Sequence, residues 1–122
     1  MPLSFESKTL CLLSPDGART ELEVVIPKSF LARARGLLGR GRLGFSRGML
    51  FERCGSVHCF GMTRAIDVVF ASRAGNILKC VPLLQPYRLA MCRGAYYVLE
   101  LDAGGISELG IGLSDWLELA EK

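Results

Sequence analysis

The chain has 122 residues, half of them hydrophobic, with 15 lysines and arginines against 12 acids, one histidine and five cysteines. That length predicts a single domain over 1–122, with a core that buries roughly two-thirds of the unfolded surface. The +3 formal charge is mild, and no apolar run approaches the ~20 residues of a membrane span.

The opening MPLSFESK lacks the charged and apolar regions of a secretory signal. The cysteines (Cys11, Cys54, Cys59, Cys80 and Cys92) are odd in number. Together these predict a cytoplasmic protein with reduced thiols, leaving a Cys80–Cys92 or Cys54–Cys59 disulfide open. The charge is uneven. From Lys28 to Arg53 seven basic residues meet one acid, Glu52, for a local +6, so the rest of the chain sums to −3. Arg33, Arg35, Arg40, Arg42 and Arg47 form this basic patch. Its ordinary reading is a solvated helix face and loop. No aromatic-and-glycine RNA-binding signature accompanies it, and nucleic acid is not the expected partner.

Fourteen glycines and five prolines predict many turns and short strands. Residues 9–13 and 20–26 read as a hairpin around Ser14-Pro15-Asp16-Gly17, where proline presets φ and glycine takes a positive φ. Ser29 is placed to cap a helix over 30–38, with Phe30, Leu31, Ala34, Leu37 and Leu38 on one apolar face. Gly39 and Gly41 end it. A loop follows over 40–48, then a strand at 48–51. Residues 56–60 are expected to be extended and 61–65 irregular. Residues 66–72 form a buried strand that returns through the turn 73–76 as 77–83. Pro82 predicts that this returning strand stops there or lies at an edge. Strands at 87–92 and 95–101, a helical turn at 103–109 capped by Asp102, and a last strand at 116–119 complete the chain. The predicted class is α+β, mainly β. The architecture is a small antiparallel, partly closed β-barrel, or alternatively a curved open sheet, with one short helix packed on it.

Several motifs in fixed order carry a resemblance: RARGLLGR (33–40), GML (48–50), CGSVHCFGM (54–62), IDVVF (66–70) and VLELDAG (98–104). The chain resembles the bacterial and archaeal family called domain of unknown function 192, over roughly 28–118. The resemblance implies a compact β-rich domain without an assigned biochemical role, with a link to pilus assembly or secretion in the branch that carries Val-His. In another branch a Trp-Met-Lys-Asn-Thr run lies across positions 58–62, which implies that His58 is no universal catalyst of the family.

The stretch 56–70 holds the chemistry. Cys54, His58 and Cys59 are the candidate catalytic residues, because an imidazole lowers the pKa of a neighbouring thiol. Cys-x3-His-Cys is not a common structural zinc pattern, so no metal and no cofactor are expected. Asp67 interrupts an apolar strand and needs partners. Arg64 or the backbone N–H groups of 61–65 would satisfy it and pin that loop. Glu100, in Val-Leu-Glu-Leu, is expected to face solvent by alternation or to pair with Arg88 or Arg93. His58, Met62, Asp67, Arg88 and Glu100 are therefore the candidate ligand-binding set. They suit an accessory module for a small polar molecule, a sugar, a peptide or a protein partner. The alternative is a Cys/His-dependent hydrolase or transferase.

Overall fold

The computed structural model describes residues 5–28, 42–58 and 64–120, with the backbone alone of His58. Strands β1 (Phe5–Leu13) and β2 (Arg19–Pro27) form the first hairpin, paired from Phe5↔Pro27 to Leu13↔Arg19. Its turn chemistry is as expected. Asp16 Oδ1 accepts the Ser14 hydroxyl and the Ala18 N–H, and Gly17 takes φ +91°. The remaining strands are β3 (Arg47–Glu52), β4 (Ser56–His58), β5 (Ile66–Ala71), β6 (Ile77–Leu84), β7 (Leu89–Met91), β8 (Tyr97–Asp102) and β9 (Trp116–Leu119). One helix among the described residues, α1 (Gly105–Leu109), precedes β9. The helix expected over 30–38 lies outside the described residues.

Seven strands form one sheet in the order β6-β5-β8-β3-β2-β1-β9, and β4 and β7 form a separate ribbon. The sheet is mixed. β2 and β3 run parallel, with Val24 opposite Gly48, so these two strands are not a hairpin pair. Pro82 lies on β6, which pairs with β5 alone and is an edge, as its missing N–H predicts. The other edge is β9. The two edges meet at one corner, where Leu117 N–H donates to the Gly75 carbonyl (2.8 Å) and Ile77 N–H to that of Asp115 (3.2 Å). The sheet goes no further and does not close into a barrel. Gly75 is obligatory at this corner. Its φ is +98°, and a Cβ there would stand 2.3 Å from the Leu117 carbonyl oxygen.

Strand alternation divides the core into two layers. On the first face Leu10, Val24, Leu50, Val69, Leu99 and Leu101 pack together, closed by Ile106 and Leu109 of the α1 segment. On the second face Met49, Phe51, Ile66, Val68, Phe70 and Val98 pack under the β4–β7 ribbon, which contributes Ala90 and Val57. Both faces of the central strands are covered. All six residues of β5 are buried, as are five of the six in β8.

Candidate functional site

Three acids are buried: Asp67, Glu100 and Asp102. Each stands on a central strand, and each has a different fate.

Asp67 lies between Ile66 and Val68, so it shares the first face with Val69 and Ala71. On β6 the register jumps from Leu84, opposite Ile66, to Val81, opposite Val68. Pro82 and Leu83 thus stand opposite one residue, Asp67, as a β-bulge. Pro82 has no N–H, and Leu83 is turned to φ +55°. Its displaced N–H donates to Asp67 Oδ1 (2.9 Å), while Ile106 N–H, in the first turn of α1, donates to Oδ2 (2.9 Å). One carboxylate therefore fastens a bulge and a helix start to β5. The expected pinning of 61–65 through Asp67 falls largely on residues 61–63, which lie outside the described residues.

Asp102 was expected to cap the following helix. The residue at the helix N-cap is instead Gly104, with no side-chain cap. Asp102 Oδ2 accepts the N–H groups of Leu43 (2.9 Å) and Gly44 (2.8 Å) and so fixes the chain just ahead of β3. Its Oδ1 is buried without a hydrogen-bond partner. Sequence reasoning missed this residue as a site element. The signal was its spacing from Glu100, which places both on one face of β8.

Glu100 is 5 % exposed and lies between Met49 of β3 and Val68 of β5, facing the second layer. The expectation that it faces solvent or pairs with Arg88 or Arg93 does not hold, because the second face is covered and both arginines are exposed. Among the described residues it makes no side-chain hydrogen bond or ion pair. Burial alone pushes its carboxyl up to about 8, so near neutral pH it is largely protonated and offers one O–H donor.

Around this face stand the other candidates. The backbone of His58 ends β4 opposite Leu89 of β7. Cys54 is half-buried against the second layer, and its thiol donates to the Ser56 carbonyl (3.1 Å). Cys59 and Met62 lie outside the described residues, as do Arg33, Arg35 and Arg40 of the basic patch. Arg42 is exposed, and Arg47 is engaged by Glu23 (3.0 Å). Arg88 is exposed on the connection from β6 to β7. Cys11, Cys54, Cys80 and Cys92 are free thiols. No three of His, Cys, Asp and Glu gather as a metal would need among the described residues. Two open grooves, of about 450 and 470 Å3, lie elsewhere, around Leu50, Tyr97 and Leu117 and around Lys28, Arg53 and Tyr96. Neither is lined by a predicted site residue. No described helix is long and apolar enough to cross a membrane.

Fold and site together define a small, mainly β domain with a seven-stranded mixed sheet and a buried acidic row on β8. The chain belongs to the DUF192 family, described as uncharacterized ACR, whose model matches residues 12–119. No curated protein matches it. Among solved structures it is similar to one from Sinorhizobium meliloti 1021, provisionally named a transcription regulator, at TM-score 0.87 and 25% identity over 98% of both chains. It is also similar to a protein of unknown function from Novosphingobium aromaticivorans DSM 12444, at TM-score 0.79 and 22% identity, over 90% of this chain and 83% of that one.

Proposed function

We propose that the chain is a small binding module that takes a polar, uncharged group between the second face of its sheet and the β4–β7 ribbon that covers it, with Glu100 as a protonated hydrogen-bond donor. The supporting observation is the buried carboxyl of Glu100, to which the described residues offer no partner. A ligand hydroxyl or carbonyl oxygen would accept the O–H of the protonated acid. Met49 and Val68 flank the acid as apolar floor. His58 and Met62 are the proposed contacts from the segment between β4 and β5, with Arg88 as a proposed contact from the rim. Asp67, sealed on the first face, positions the frame and does not meet the ligand. A sugar, a small polar metabolite or a peptide carbonyl suits this donor.

The test is a thermal-shift and NMR screen of the whole chain against neutral sugars, amino-acid amides and short peptides. A hit should perturb the amides of Met49, Val68 and Glu100, and Glu100→Leu should abolish it while leaving the fold intact. Hits that survive Glu100→Leu, or no hits from any of the three classes, would remove the proposal.

A further inference from the structure

The connection from β6 through β7 carries a surface that neither the core nor the Glu100 site uses. From Val68 to Leu99 the sequence holds no acid and four cations, Arg73, Lys79, Arg88 and Arg93. Five of the seven exposed large hydrophobics among the described residues fall in the same span: Leu78, Leu83, Tyr87, Leu89 and Met91. On β7 only Ala90 points into the core, so Leu89 and Met91 point out, each 57% exposed. Their neighbours are tied to them by backbone. Lys79 Nζ donates to the Met91 carbonyl (3.0 Å), Arg88 N–H to that of Gln85 (3.1 Å), and the Gln85 amide to that of Leu83 (3.1 Å).

Two of these side chains are presented against backbone preference. Among non-glycine residues described, Arg53, Leu83 and Tyr87 have positive φ, and the last two are 55% and 70% exposed. Bulky residues rarely occupy that region, where glycine or asparagine is at ease. The fold thus holds a leucine and a tyrosine outward at a conformational cost, and such strain concentrates at ligand-contact sites. Glu108 is exposed on α1, whose Ile106 N–H shares the Asp67 carboxylate with Leu83, so it lies at the Leu83 end, away from β7 and its cations in sequence. Asp67 is sealed beneath Leu83, and Asp115 lies toward Cys80, which packs on the first face, away from the ribbon.

We infer that this surface docks the protein on an anionic lipid bilayer: Leu83, Tyr87, Leu89 and Met91 enter the headgroup region while Lys79, Arg88 and Arg93 meet lipid phosphates. Exposed apolar groups interspersed with cations, on a span without acids, match a negatively charged interface in both hydrophobicity and charge, and tyrosine suits the headgroup level. Nucleic acid would satisfy the cations and leave the leucines and methionine unused. The surface is separate from the Glu100 site, and its failure would leave that reading untouched.

Co-sedimentation of the full chain with phosphatidylcholine vesicles, with and without roughly one-third phosphatidylglycerol, tests it. Binding to the anionic vesicles alone is expected. It should fall at least about ten-fold on Leu89→Asp with Met91→Asp, and about thirty-fold on Arg88→Gln with Arg93→Gln, each cation near the surface contributing about 1 kcal/mol. A Tyr87→Trp variant should show blue-shifted emission on the same vesicles, a readout that does not depend on the charge variants folding. Absence of binding to anionic vesicles, binding unaffected by the Leu89/Met91 change, or retention by duplex DNA in place of vesicles would overturn the inference.

Discussion

Asp67 and Glu100 look alike in the sequence and end as opposites. Each is a carboxylate inside an apolar strand, Ile-Asp-Val and Leu-Glu-Leu. They sit on adjacent paired strands one step apart, Asp67 opposite Leu101 and Glu100 opposite Val68. Both are buried. Asp67 accepts two backbone N–H groups; Glu100 accepts none from the described residues. The difference lies in the backbone around each. A regular ladder uses its own N–H groups, so a side chain set in its middle finds no donor to accept from. A bulge and a helix start both release N–H groups from such pairing, and Asp67 stands where the fold has one of each. A buried acid is a fastener where the chain is irregular and a group held protonated by burial where it is regular.

The strongest way to break this contrast is Asp67→Ala. Two buried N–H groups lose a charged acceptor, and stability should fall by about 4 kcal/mol. Denaturant unfolding measures the loss, and hydrogen exchange should show it concentrated at the Leu83 and Ile106 amides. Uniform acceleration across the sheet would contradict the fastener role.

Glu100 should respond with the opposite sign. Its folded carboxyl is raised from 4.5 to about 8, so between those values the folded chain keeps a proton that the unfolded chain has lost. Stability from this group is therefore full below about 4.5 and declines as pH rises through about 8, by something on the order of 5 kcal/mol. Glu100→Gln should flatten that slope. Glu100→Met, which removes a buried ionisable group, should stabilise the fold at neutral pH and above by about 2 kcal/mol. Urea titrations across the pH range read both, and a slope that persists in Glu100→Gln would locate the titration elsewhere.

How much of this contrast the sequence carried depends on distance along the chain. The turn at Ser14–Gly17, the edge position of Pro82 and the strand at 116–119 were legible because their causes are local. That Asp67 is interior and needs partners was legible too. Its partners were not, because they arrive from residues 83 and 106, the first through a bulge that no neighbouring residue announces. Asp102 reads locally as a helix cap and is instead recruited by Leu43 and Gly44, 59 and 58 residues away. Glu100 was misplaced by alternation itself. That rule assumes one wet face, and here the β4–β7 ribbon covers the second. The parallel pairing of β2 with β3 escaped notice for a similar reason, since short neighbouring strands suggest hairpins throughout.

Asp102 falls between the extremes, with one oxygen engaged and one without a partner. Asp102→Asn keeps an acceptor for Leu43 and Gly44 and removes the charge, which weakens two charge-assisted bonds to ordinary ones. A loss of about 1.5 kcal/mol is expected, with exchange quickening at those two amides. A loss as large as that of Asp67→Ala would mean that charge matters more than the number of donors.

The smallest effect belongs to a charge that never left water. Arg47 Nε and Glu23 Oε1 stand 3.0 Å apart across the parallel β2–β3 pair, with side chains 48% and 52% exposed. Water screens both, and holding two long side chains together costs rotamer freedom, so a double-mutant cycle through Glu23→Gln and Arg47→Gln should give a coupling of about 0.5 kcal/mol. It should vanish near 1 M salt, where the screening length is roughly 3 Å. The Asp67 loss should persist in the same salt, because its donors are sealed from the ions. If salt weakened both alike, Asp67 would have to be open to solvent, and the contrast between fastened and unfastened acids would rest on exposure instead of on the donors each one finds.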